Sequence, residues 1–183
     1  MKKLAIIIVL ASVFVACNEP AEQRYTQSSA EIDTFKALIA AYESADWESY
    51  TAKFADTAKV YHNTEDKPMT PAETVESHKA NSAALSSYGF ADDKGDIEMV
   101  TTDKGETWVN FWGLWKATVA STKKEVMIPV HVTAQFVDGM VVKEYGYWDT
   151  APLIAAMEDA ASEDASEEGA EGAAEEGAEE SEQ

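Results

Sequence analysis

The spacing of apolar residues changes in character about halfway along the chain. In the first half, apolar positions mostly recur every three or four residues, which is typical of helices with one buried face. Beyond Tyr88 they alternate with polar residues, which is typical of strands. Helices followed by a run of antiparallel strands predict an α+β domain in which helices pack on one face of a curved sheet.

Three helices are predicted in the first half, each from a capping signal and an apolar stripe. Residues 28–31 (SSAE) have a capping-box pattern, and Asp46 is a candidate N-cap. Residues 70–73 (TPAE) combine a capping threonine, a proline in the first turn and a glutamate that can reach back. A short strand, 59–63 (KVYHN), precedes the third helix. The predicted buried faces are Ile32, Phe35, Leu38, Ile39 and Tyr42, then Trp47, Tyr50 and Phe54, then Val75, His78, Ser82 and Leu85.

Four strands and a closing helix are predicted in the second half. The strands lie near 96–102, 106–119, 125–137 and 140–149, and a short helix begins near Thr150. Asp138-Gly139 predicts a tight hairpin, because both positions of such a turn take positive φ.

The two-residue loop also predicts which residues of the last two strands share a face. When pairing steps outward from the loop one residue at a time, Tyr145, Tyr147 and Asp149 fall on the apolar face. His131 falls on the other face, so His131 and Asp149 are predicted not to form a catalytic dyad. A bulge in either strand would reverse this assignment.

The start of the chain has the layout of a secretory signal. Residues 1–16 contain two lysines, a short apolar run and a small final residue. The stretch FVAC resembles the lipobox of bacterial lipoproteins, with Phe14 in place of the preferred leucine. The resemblance implies that Cys17 is acylated and anchors the protein in the bacterial cell envelope, at the outer membrane or cell surface. The alternative is a plain secreted protein with an incidental cysteine. Residues 17–27 are polar and are interpreted as a tether.

The end of the chain changes the charge balance without adding a second domain. Residues 158–183 lack lysine, arginine, aromatic and branched apolar residues, and they hold twelve of the 34 acidic residues. Such a segment cannot bury enough surface to fold, so it is predicted to be a disordered acidic tail. The formal net charge is −20 and no basic stripe is present, which excludes nucleic acid as an expected partner. The folded domain is therefore placed at 28–157.

Four stretches of this domain resemble the SnoaL-like, nuclear-transport-factor-2-like superfamily. They are AYESADWESYTAKFADTAKVYHNT, WVNFWGLW, IPVHVTAQFVDG and YGYWD, and the resemblance covers roughly Glu31 to Met157. It implies a cone-shaped α+β barrel with a pocket between the helices and the concave face of the sheet. The superfamily includes ketosteroid isomerases, scytalone dehydratases and limonene epoxide hydrolases, together with transport and assembly factors that have no catalytic activity, so the likeness predicts fold more than activity.

Several polar residues are candidates for acid–base chemistry in that pocket, each with a structural alternative. Asp149 could instead cap the last helix, and His78 could be a core histidine with its hydrogen bonds satisfied. The acid that ketosteroid isomerases require would fall near Val132, which is apolar and argues against that reaction. The candidate acid–base residues are Asp149, Tyr147, Tyr145, His62 and His78. The candidate ligand-pocket residues are Tyr50, Phe54, Tyr61, Trp112, Trp115, Phe136, Tyr145 and Tyr147.

No pattern in the sequence predicts a metal or a cofactor. Zinc-ligand spacing, a phosphate-binding loop, a nucleophile elbow and a dinucleotide fingerprint are all missing from the printed sequence. In WVNFWGLW, Trp108 and Trp112 lie in one phase of the strand, and Phe111 and Trp115 lie in the other. Apolar bulk on both faces predicts that one face lines the core and the other meets a partner, most simply a second copy in a homodimer.

The sequence therefore predicts a membrane-tethered lipoprotein whose domain binds a small apolar or amphipathic molecule without catalysis. Two alternatives remain: a cofactor-independent lyase, isomerase or hydrolase that uses acid–base groups in the same pocket, and a structural dimerisation module. A buried pair of ionisable groups that converge in the cavity would favour the enzyme.

Overall fold

The computed structural model describes residues 24–91 and 95–158, so the predicted signal, Cys17 and nearly all of the acidic tail lie outside the described residues. The helices are α1 (Ala30–Glu43), α2 (Trp47–Thr51), α3 (Pro71–Ser82) and α4 (151–158). The strands are β1 (Tyr25–Thr26), β2 (Phe54–His62), β3 (Leu85–Phe90), β4 (Asp96–Thr101), β5 (Thr107–Val119), β6 (Glu125–Val137) and β7 (Met140–Trp148). None of the described helices has the length and apolar character needed to cross a bilayer.

The seven strands form one curved, open sheet in the order β1-β4-β5-β6-β7-β2, with β3 also paired to β5. All pairs are antiparallel except β2 and β7, which run parallel. The predicted α+β class, with helices on one face of a curved antiparallel sheet, is confirmed. The described sheet does not close into a full barrel.

Local capping chemistry fixes where the three first helices begin. The Ser29 hydroxyl accepts from the backbone N–H of Ile32, one residue later than the capping pattern predicted. Asp46 caps α2, and Thr70 and Glu73 form the complete capping box of α3. Each cap satisfies N–H groups that the first helical turn would leave unpaired.

Two strands were not predicted. Tyr25 and Thr26, inside the proposed tether, pair with Val100 and Met99 of β4. Leu85, assigned to the buried face of the third helix, instead begins β3. Both strands are short and their apolar residues do not alternate clearly, so pairing with a neighbour rather than local sequence determines them.

The core lies between α1 and the concave face of the sheet. Ile32 and Phe35 of α1 are almost fully buried, and Phe35 packs on Phe111 of β5 with ring centroids 5.9 Å apart. Burial of each large apolar side chain stabilises the fold by roughly 1.5–3 kcal/mol. A second apolar cluster, around Val126 and Ile128, packs under α4 and fixes that helix against the far end of the sheet.

A bulge in β7 changes the faces of the last two strands. The hairpin forms as predicted, with positive φ at Asp138 and Gly139. Phe136 pairs with Val141, but Gln135 pairs with Lys143, which leaves Val142 without an opposite residue. The predicted register is therefore wrong beyond this point, because one extra residue shifts every later partner. Residues 144, 146 and 148 face the core, and residues 145 and 147 face outward.

Candidate functional site

A cavity of about 490 Å³ lies between the helices and the concave sheet face. Its walls are mostly apolar and come from all four helices and the sheet. Leu153, Ile154 and Met157 of α4 form part of the wall, and the Ile154 residue is 51% exposed, which places it at the rim. Such a volume and lining are typical of sites for small molecules.

Tyr42, Asn81 and Thr150 are among the residues that line the cavity, and so are four further polar side chains, each from a different element. These four are Tyr50 from α2, His62 from β2, His78 from α3 and Glu144 from β7. The rings of His62 and His78 are 5.6 Å apart between centroids, so the four groups form one cluster, here called the polar end.

His62 and Glu144 form a buried pair. The ring N–H at Nε2 of His62 donates to Oε1 of Glu144 over 3.3 Å, and their side chains are 12% and 5% exposed. This contact fixes the ring orientation and turns the other ring nitrogen, Nδ1, away from Glu144. The other carboxylate oxygen, Oε2 of Glu144, is buried and has no hydrogen-bond partner among the described residues.

The parallel pairing of β2 with β7 places His62 next to Gly146. A Cβ atom at position 146 would lie 2.6 Å from the Trp148 ring and 3.1 Å from Cδ2 of His62. Glycine is therefore required here for close approach, because any larger residue would displace both rings. The absent side chain lets Trp148 and His62 pack edge to face at 4.8 Å.

Tyr50 and His78 form the second polar pair, with 3.3 Å between Oη and Nε2. Burial lowers the pKa of His78 to about 3, and the neighbouring His62 adds to this effect. Burial also raises the pKa of Tyr50 well above its usual value, with a further contribution from the Glu144 charge. Tyr50 and His78 are therefore both uncharged at neutral pH. When His78 carries its proton on Nδ1, the Tyr50 hydroxyl donates its hydrogen bond to Nε2 of His78.

The structure places four of the predicted site residues at the cavity wall: Tyr50, His62, His78 and Trp115. Phe54 and Phe136 are buried in the core beside it but do not line it. Asp149 does not line the cavity either: its carboxylate accepts from the backbone N–H of Ala151 at the start of α4, which is the capping alternative.

Four predicted pocket residues lie on the outer face instead, which corrects the sequence assignment. Tyr145 and Tyr147 point outward because of the bulge in β7. Tyr61 stacks on Tyr145 at 4.8 Å, and Trp112, 43% exposed, stacks on His131 at 4.9 Å. These aromatic residues cover the convex side of the sheet rather than the cavity.

Glu144 is the site residue that sequence reasoning missed. The predicted hairpin register, without a bulge, placed Glu144 on the outer face. Residues 144–148 (EYGYW) have aromatic residues in both phases of the strand, so their alternation does not indicate which residues face the core. His131 and Asp149 have separate partners: Nδ1 of His131 donates to the Phe111 carbonyl, and Asp149 caps α4. Within 24–91 and 95–158, no three His, Cys, Asp or Glu side chains are grouped to hold a metal ion.

Solved structures share this architecture. A proposed polyketide cyclase of Xanthomonas campestris pv. campestris superposes with a TM-score of 0.57 at 14% identity, over 71% of this chain and 98% of that one. A proposed SnoaL-like polyketide cyclase of Shewanella denitrificans OS-217 gives 0.56 at 12% identity, over 72% and 99%. IdmH, a proposed polyketide cyclase of Streptomyces antibioticus, gives 0.55 at 17% identity, over 69% and 97%.

These likenesses establish the fold: the chain shares the nuclear-transport-factor-2-like architecture of those structures. Identities of 12–17% do not carry an activity from those proteins to this one. No family model matches the sequence, and no curated protein matches it.

Proposed function

We propose that the domain binds a small, mostly apolar molecule in the cavity between its helices and the sheet. The observation that carries the proposal is the cavity itself, about 490 Å³ of mostly apolar wall with polar groups gathered at the polar end. Apolar walls give affinity by removing surface from water, and a few polar groups fix orientation. A purely structural module would fill this space with side chains instead.

Binding of the uncharged fluorescent probe N-phenyl-1-naphthylamine tests this proposal directly. The probe is expected to enter the cavity of the mature protein and to brighten as it leaves water. Native mass spectrometry of protein from its own cells is expected to reveal a carried small molecule. If the probe does not bind and no carried molecule is found, the proposal is contradicted.

Acid–base catalysis is the second candidate, favoured by the buried His62–Glu144 pair. Nδ1 of His62 is able to accept a proton from a bound substrate, and Glu144 stabilises the imidazolium that results. The neutral Tyr50–His78 pair is able to donate a hydrogen bond to negative charge that develops on the substrate. This arrangement supports a cofactor-independent lyase, isomerase or hydrolase, with a contribution of about 10²–10⁴ in rate from the proton transfer.

We further propose that the mature protein is attached to a membrane through lipid on Cys17. The support is the signal-like sequence of residues 1–16 and the single cysteine that follows it. Cys17→Ser is expected to move the protein from the membrane fraction to the soluble fraction, because the acyl attachment point is lost. Labelled fatty acid is expected in the wild type only, and its absence there would contradict the proposal.

We also propose a homodimer through the outer face of the sheet. Trp112 and Tyr147 are 43% and 41% exposed, and His131 stacks beside them, so an aromatic surface is left open to a partner. Sedimentation of the mature protein at micromolar concentration is expected to give the dimer mass. Trp112→Glu is expected to give the monomer, while Val137→Glu, at the exposed hairpin, keeps the dimer; a wild-type monomer would contradict the proposal.

A further inference from the structure

We propose that the ligand of the cavity carries a protonated amine, which Glu144 binds at the polar end. This inference rests on the proposed binding function and names the chemical class of the ligand. It follows from three features: an unused carboxylate oxygen, the charge of the cavity wall and the aromatic rings that pack on His62 and His78.

The first feature is the hydrogen-bonding of Glu144, which is 4% exposed. His62 occupies Oε1, and Oε2 has no partner among the described residues. A buried carboxylate oxygen without a donor costs free energy, because water no longer solvates it. Rotation about the last side-chain torsion of glutamate is soft, so the carboxylate is able to turn its free oxygen toward a bound donor. An N–H group of the ligand would satisfy it.

The second feature is charge. None of the described residues that line the cavity is lysine or arginine, so neither of these cations would offset the Glu144 charge for an anionic ligand. His78 does not supply one, because burial holds its pKa near 3. A cationic group on the ligand would provide the missing charge in a region of low dielectric, where the attraction is strong. The net charge of −20 also attracts cations toward the protein.

The third feature is the set of aromatic rings at the polar end. Trp148 lies 4.8 Å from the His62 ring, and Tyr42 lies 4.9 Å from the His78 ring, both between centroids. All four residues line the cavity. Aromatic faces within about 6 Å attract an ammonium group through their quadrupoles. Aromatic rings of the cavity wall are therefore available to an ammonium group beside the polar end, and the mostly apolar remainder of the wall suits the rest of the ligand.

Three probes of matched size separate charge from shape. The mature wild-type protein is titrated calorimetrically at pH 7 with 4-phenylbutylamine, 4-phenyl-1-butanol and 4-phenylbutanoate. The amine is expected to bind about tenfold or more tightly than the alcohol, because it makes a charge-assisted hydrogen bond. The carboxylate is expected to bind most weakly. An alcohol that binds as tightly as the amine would overturn the inference and leave the binding function intact.

Glu144→Gln tests the assignment to this residue, because it keeps the shape and the acceptor for His62 while it removes the charge. The preference for amine over alcohol is expected to fall below about threefold, with alcohol affinity little changed. Glu125→Gln, on an exposed residue of β6, is the matched control and keeps the preference. An undiminished preference in folded Glu144→Gln would overturn the inference. If Glu144→Gln does not fold, the wild-type series decides alone, and a failure of all three probes to bind would contradict the binding function itself.

Discussion

Acidification from pH 6.5 to pH 4 is expected to destabilise the domain by about 3 kcal/mol through His78 alone. The pKa of His78 is about 3 in the folded protein, whereas histidine in an unfolded chain titrates near 6.5. Between these two pKa values His78 is protonated in the unfolded chain but stays neutral in the folded protein. Stability therefore falls as the pH drops through this window, and it is unaffected by His78 above pH 7.

Urea unfolding at pH 7, 6, 5 and 4 measures this effect. His78→Gln has no proton to take up, so its stability is expected to fall by about 3 kcal/mol less than that of the wild type over the same range. His131→Gln is the control, because His131 lies on the outer face against Trp112. Equal losses in the wild type and in His78→Gln would show that His78 is not held neutral by the fold.

Val130→Trp is expected to abolish binding of N-phenyl-1-naphthylamine, with a loss of at least about a hundredfold in affinity. Val130 lines the cavity, where it pairs with Gly113 on one side and Trp148 on the other. An indole at this position would occupy space that the probe needs. Some loss of stability, about 1–3 kcal/mol, accompanies the larger side chain if the walls must move.

Val137→Trp is the matched control for this prediction. Val137 has the same side chain as Val130 on the same strand, but it is 50% exposed beside the hairpin and does not line the cavity. Fluorescence titration of both variants with excitation of the probe is expected to show wild-type affinity for Val137→Trp. Unchanged affinity in a folded Val130→Trp protein would place the probe outside this cavity.

Features that depend on a few neighbouring residues were predictable from the sequence. Asp46 and Thr70 cap their helices because side-chain oxygens satisfy nearby backbone N–H groups, whatever the rest of the chain does. Asp138-Gly139 makes its turn because its residues tolerate positive φ. The α+β class followed because helical and strand periodicities occupy separate parts of the sequence.

The composition of the candidate site was less predictable, because it depends on one residue without a local signal. Val142 carries the bulge, yet it is an ordinary strand residue between Val141 and Lys143, with no glycine or proline beside it. Because of this extra residue, Glu144 faces the cavity, whereas Tyr145 and Tyr147 face outward. Only pairing with β6 and β2 together selects this register, and a single sequence does not contain that information.

The parallel alignment of β2 with β7 also has a consequence for the order in which the molecule folds. His62 and Glu144 are 82 positions apart, so their contact closes one of the longest loops in the domain. The chain must lose the conformational entropy of closing this loop before the contact can stabilise the fold. Such pairings therefore form slowly and late. During synthesis the first strand of this pair emerges long before the second. A nascent or truncated chain that lacks β7 therefore lacks Glu144, and it cannot complete the polar end.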